Sequence, residues 1–205
     1  MSELINQVHT TKKAVAITFD DGPNPVFTPQ VLEIFQKVNG KATFFMIGEQ
    51  MENSPELVKK AADLGHEIGN HTYTHPKLSQ ISKEEAVKEI DATASLIEKL
   101  TGQKPSLFRP PYLDYNGQTT EVLQEKGYPI MIGALNMEAT DWEQPGVDFI
   151  LRKTKNVIEN GSILLFHDGY GDRSQTIEAV RILAQELTEQ GFELVTVSDL
   201  IKLAK

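Results

Sequence analysis

The sequence predicts the α/β class, as a closed or nearly closed β/α barrel with about seven parallel strands and an active site at their C-terminal ends. Three observations carry this. Short apolar runs alternate with longer amphipathic stretches through the 205 residues, and strands separated by helices imply a parallel sheet. Gly40, Gly65, Gly102, Gly127, Gly161 and Gly191 each follow a helical stretch and precede an apolar run. Glycine there takes the left-handed conformation that ends a helix. The strand-to-helix joints are longer and carry the unusual residues, where a β/α barrel keeps its active site. A doubly wound open sheet has the same alternation and stays open as an alternative.

Seven runs read as strands: AVAITF at 14–19, ATFFMIG at 42–48, HEIGN at 66–70, LFRP at 107–110, PIMIGAL at 129–135, SILLF at 162–166 and FELVTV at 192–197. Between them, Thr28-Pro29 and Ser54-Pro55 each pair an N-cap with proline at the first helical position. Ser82 and Glu85 form a capping box. Apolar Ala86, Ile90, Ala94, Ile97 and Leu100 lie beyond it near a 3.6 period. No linker or low-complexity tract interrupts residues 1–205, which read as one domain.

Composition narrows the function. The chain is 40% hydrophobic and 24% charged, an ordinary globular balance. A net charge of -9 argues against a nucleic-acid partner, which favours a basic face. With no cysteine, there is no disulfide framework, thiolate nucleophile or cysteine-ligated zinc. The opening MSELINQVHTTKK has no apolar core of signal-peptide type, which reads as cytoplasmic as written but leaves the compartment open. No apolar run is long enough to span a membrane. Nothing in the sequence marks an oligomeric state.

The strand ends gather titratable groups. Asp20 and Asp21 follow the first run, in ITFDDGP. Side chains alternate along a strand, so neighbouring aspartates face one pocket only where the chain turns; DDGPNP also suits a plain turn. His71 and His75 follow the third run, Arg109 and Tyr112 the fourth, Asp141 and Trp142 the fifth, and His167 the sixth. Two imidazoles and one carboxylate are the ligand set of an open zinc site, and suit iron, cobalt or nickel as well. The second carboxylate is then free to take a proton from water whose pKa the metal lowers. A cation also offsets the repulsion between the two aspartates. His167 fits either a satisfied core histidine or a general acid, with Asp141 holding its ring. Arg109 fits a structural ion pair, or a partner that keeps the base aspartate ionised.

TFDDGP, HTYTH, RPPY, TDW and LFH, in this order, resemble the five motifs of the polysaccharide deacetylases, the carbohydrate esterase group named for the nodulation-factor deacetylase homology domain. The resemblance runs from about residue 15 to 200 and is specific in combination. It implies a distorted β/α barrel with fewer than eight units. It also implies metal-dependent removal of acetyl groups from N-acetylated sugars, chitooligosaccharide or peptidoglycan, or from acetylated xylan. By the same resemblance, Asp20 is the catalytic base, and Asp21, His71 and His75 ligate a divalent metal, zinc first. Arg109 orients the base, Asp141 tunes His167, and His167 is the general acid. The Tyr112 backbone N–H stabilises the oxyanion, Pro110 belongs to the substrate-binding loop, Leu165 and Trp142 line the acetyl pocket, and the Thr72 hydroxyl stiffens the histidine loop. Two positions depart from the pattern: Leu113 stands where glycine usually follows RPPY, and Glu138 where many members have aspartate. The rival readings are an O-acetyl xylan esterase, a non-catalytic sugar-binding domain, and a structural metal-binding protein.

Overall fold

The computed structural model describes residues 3–205. Its strands are β1 (Glu3–Ile5), β2 (Ala14–Asp20), β3 (Thr43–Met46), β4 (Glu67–Asn70), β5 (Ile130–Ile132), β6 (Ile163–His167) and β7 (Glu193–Leu194). Its α-helices are α1 (Thr28–Lys37), α2 (Gly48–Asn53), α3 (Pro55–Asp63), α4 (Lys83–Thr101), α5 (Gly117–Glu125), α6 (Val147–Lys155), α7 (Ser174–Glu189) and α8 (Val197–Lys202).

Every strand pairing is parallel. β4, β3, β2 and β6 lie side by side in that order, and β7 pairs with the start of β2. On the far side β1 pairs with β5. Phe108 bridges Asn70 of β4 to Met131 of β5. Ile163 at the start of β6 donates to the Asn6 carbonyl and accepts from the Leu135 N–H. The ring therefore closes as a barrel, distorted because two of its joints are single bridges.

The predicted run 107–110 is thus one bridging residue, not a strand: Arg109 leaves the pleat to fill the barrel. The seventh strand is instead β1, whose three residues carry too little pattern to be recognised. The glycine rule holds at Gly65, Gly102, Gly127, Gly161 and Gly191, all with positive φ. It fails after α1, where Asn39 takes the left-handed turn with φ 52°. Thr28 is the first helical residue rather than a side-chain cap, whereas the Ser82–Glu85 capping box forms as expected.

The two faces of β2 have different destinations. Val15, Ile17 and Phe19 point outward into the main apolar core, against α1, α6 and α7. Ala14 and Ala16 point into the barrel. The same inward row continues through Thr18 to Asp20, so a period of two delivers a carboxylate to the rim. No helix among the described residues is long and apolar enough to cross a membrane.

Candidate active site

Backbone geometry brings the two adjacent aspartates to one cavity. Asp20 ends β2 facing inward. Asp21 has φ 72°, a left-handed turn that swings its side chain to the same side. Their surroundings then diverge. Asp20 Oδ1 accepts from Arg109 Nη1 at 2.6 Å. Asp21 Oδ1 is buried with no hydrogen-bond partner among the described residues, 3.3 Å from His75 Nε2 and 3.6 Å from His71 Nε2.

Both histidines turn Nε2 toward Asp21. His71 Nδ1 lies 2.7 Å from the Arg109 carbonyl, which only accepts, so Nδ1 carries the proton and Nε2 faces the aspartates. Burial, and then the neighbouring His71, push His75 down to about 4, leaving it neutral near pH 7. Burial works to raise the Asp21 carboxyl, but His71, His167 and His75 together outweigh it and hold it below the usual carboxylate value. Potential ligand atoms of Asp21, His71 and His75 lie within 4.8 Å of one another. An orphaned carboxylate oxygen facing two bare imidazole nitrogens fits a divalent cation.

Arg109 is 1% exposed, and four of its five N–H groups find acceptors. It donates to the carbonyls of Ile132 and Gly133, to the Thr18 hydroxyl and to Asp20. Its guanidinium stacks 4.2 Å from the Phe45 ring. The ion pair is therefore structural and also aims Asp20. Across the cleft, His167 Nδ1 meets Asp141 Oδ1 at 2.9 Å. Asp141 Oδ2 accepts from the His167 backbone N–H and the Thr176 hydroxyl. Burial alone lowers an imidazole, but Asp141 outweighs it and raises His167 to about 9.

Asp20, Asp21, His71, His75, Pro110, Tyr112, Trp142, Leu165 and His167 line one cleft of about 440 Å³. Arg109 and Asp141 stand behind it. Thr72 departs from expectation: its hydroxyl is buried and has no hydrogen-bond partner among the described residues. The histidine loop is held instead by backbone, with Thr72 N–H on Asn70 Oδ1 and Tyr73 and Thr74 N–H on Glu89. Leu113 does adopt positive φ, 52°, beside Tyr112 at 59°, so the loop keeps a glycine-like shape without glycine. Glu138 points away and pairs with Lys153 at 2.7 Å.

Sequence reasoning missed Met137 and Tyr170, which also line the cleft, and Asn136, which grips both the N–H and the carbonyl of Leu165. It also missed buried Asp168, whose carboxyl burial pushes up to about 7. An aromatic between two glycines just past a strand, in DGYG, was the available signal for Tyr170. Among the described residues, eight of the nine non-glycine residues with positive φ lie in these rim loops, Asn39 being the ninth. Strain of order 1–3 kcal/mol per residue collects where geometry serves function.

A barrel that gathers Asp21, His71 and His75 within ligand reach of one another, beside an arginine-gripped carboxylate and an aspartate-held histidine, has the groups of a metal-dependent hydrolase. Residues 7–131 match the family described as polysaccharide deacetylase, and the chain belongs to that family. It is 40% identical to a peptidoglycan-N-acetylglucosamine deacetylase of Bacillus cereus, over 96% of this chain and 92% of the relative. A solved peptidoglycan N-acetylglucosamine deacetylase, in complex with 4-naphthalen-1-yl-N-oxidanyl-benzamide, superposes with TM-score 0.91 at 31% identity, covering 98% of this chain and 94% of that one. A Bacillus anthracis pseudoenzyme of the same esterase family superposes with TM-score 0.89 at 28% identity, covering all of this chain and 71% of that one.

Proposed function

We propose that the protein removes the acetyl group from N-acetylglucosamine in peptidoglycan or in chitooligosaccharides, using a divalent metal, zinc first. The observation that supports this most is the divergence of the two aspartates, one facing His71 and His75 and the other gripped by Arg109. Asp21, His71 and His75 would hold the cation, which would supply Lewis-acid activation of water and of the amide carbonyl.

The chain's own residues do the rest. Asp20 takes a proton from the attacking water, and Arg109 holds that carboxylate aimed. The Tyr112 backbone N–H donates to the acetyl oxygen as negative charge develops there. His167, with Nδ1 tied to Asp141, presents Nε2 to the cleft and gives its proton to the departing sugar nitrogen. The C–O bond to water forms first, and the C–N bond breaks as the tetrahedral adduct collapses and the nitrogen takes the His167 proton, giving acetate and a free amine. Leu165, Trp142 and Pro110 enclose the methyl group. Base and acid each contribute on the order of 10²–10⁴ in rate.

The test is acetate release from peptidoglycan fragments, chitooligosaccharides and acetylated xylan with zinc present. Release from the N-acetylated sugars is expected. Release from xylan alone replaces the proposal with an O-acetyl esterase. No release with zinc bound turns the reading to a sugar-binding protein.

A further inference from the structure

Asp168 follows the general-acid candidate in sequence but does not enter the cleft. It is 0% exposed. Its Oδ2 accepts from the Thr28 hydroxyl at 2.5 Å. That hydroxyl in turn accepts from the Asn24 N–H at 2.8 Å. Its Oδ1 is buried without a hydrogen-bond partner among the described residues. It lies flat against Gly22, where an added Cβ would sit 2.5 Å from it. The backbone of the same segment locks onto the aspartate pair: Asp168 N–H donates to the Asp20 carbonyl at 3.2 Å. Gly169 lies so close that a Cβ there would sit 2.0 Å from the Asp21 carbonyl oxygen and 2.7 Å from its Cβ.

These contacts share one object, the turn Asp20–Asp21–Gly22. Asp21 must hold φ 72° for its carboxylate to face His71 and His75, a conformation that costs a residue with a side chain roughly 1–2 kcal/mol. A buried oxygen left unpaired costs about 1–3 kcal/mol more, so stability alone does not account for Asp168. The helix α1, through Thr28, and the end of β6, through Asp168 and Gly169, clamp that turn from two sides.

We propose that Asp168, anchored by Thr28, is the positioning residue that fixes Asp21 in its metal-binding conformation. The role rests on the assignment of Asp21 as a ligand. Groups behind first ligands typically set metal affinity by 10–100-fold.

The test measures zinc affinity by chelator competition and the visible spectrum of the cobalt-loaded protein. Asp168→Ala and Thr28→Val are each expected to weaken zinc binding, by about 10–100-fold for Asp168→Ala, and to alter the cobalt bands. The double variant should lose no more than Asp168→Ala alone, because both break one link. Thr28→Ser should restore affinity. Affinity within about threefold of wild type and unchanged cobalt bands, with only the melting temperature lowered, would overturn the role and leave a merely structural residue. Where Asp168→Ala fails to fold, Thr28→Val decides by the same criterion. If the wild type itself binds neither ion, the metal-site reading falls and takes this role with it; a wild-type site that binds zinc and ignores both substitutions removes the role alone.

Discussion

Replacing Asp141 by asparagine tests how the general-acid candidate is powered. Burial by itself would lower His167, yet Asp141 first, with Asp20 and Asp21 adding to it, brings it from 6.5 to about 9. At about 1.4 kcal/mol per pH unit, that rise corresponds to roughly 3 kcal/mol favouring the charged imidazole. The His167 side chain is 13% exposed and Asp141 only 2%, so solvent screens little of it. Asparagine keeps an oxygen for the His167 N–H and the Thr176 hydroxyl but loses the charge. The alkaline limb of kcat/KM is therefore expected to move down by at least about one pH unit. The sign comes from a raised pKa: the proton that His167 donates is present below that value and lost above it. Stability obeys the same rule. The pair's contribution is complete below 6.5, fades as pH rises through about 9, and is absent from the asparagine variant. The assays are a pH–rate profile from about pH 6 to 10 with zinc saturating, and NMR titration of the His167 ring. An alkaline limb that does not move, in a variant that still binds zinc, would refute the reasoning.

Three further outcomes are expected. Asp20→Asn should bind zinc normally and lose about 10²–10⁴ in kcat, whereas His71→Ala should lose the zinc itself; metal content and acetate release together separate the two. Leu165→Ala should enlarge the methyl pocket and raise the N-propionyl to N-acetyl ratio of kcat/KM by roughly tenfold, since one methylene in such a pocket is worth about 1–3 kcal/mol. Gly161→Ala should destabilise by about 2–4 kcal/mol in denaturant melts without changing zinc affinity, because φ is 83° and its Cβ would sit 1.8 Å from the Val8 carbonyl oxygen, far from the cleft.

Much of this architecture is legible in the chain because it is local. The runs around β2, β3 and β6 are long and apolar, and those of β2 and β6 end on Asp20 and His167. Five helix-ending glycines can be read because left-handed φ strongly favours glycine. What the sequence hides is non-local or conformational. β1 exists only because β5 offers it a partner. Arg109 looks like part of a strand, but its worth lies in four acceptors from two other segments, β2 and the end of β5. Asp21 differs from Asp20 through one backbone angle, and Asp168 matters only because the end of β6 packs on that turn. Thr72 shows the opposite error, a hydroxyl given a task that the backbone performs.

Everything proposed for the cleft depends on Asp21, His71 and His75 holding a cation essential for amide hydrolysis. The most direct measurement is acetate release from a chitooligosaccharide by chelated protein, before and after adding zinc. Near-zero release that returns at one equivalent of zinc is the predicted result. Undiminished release from protein shown to be metal-free would contradict it.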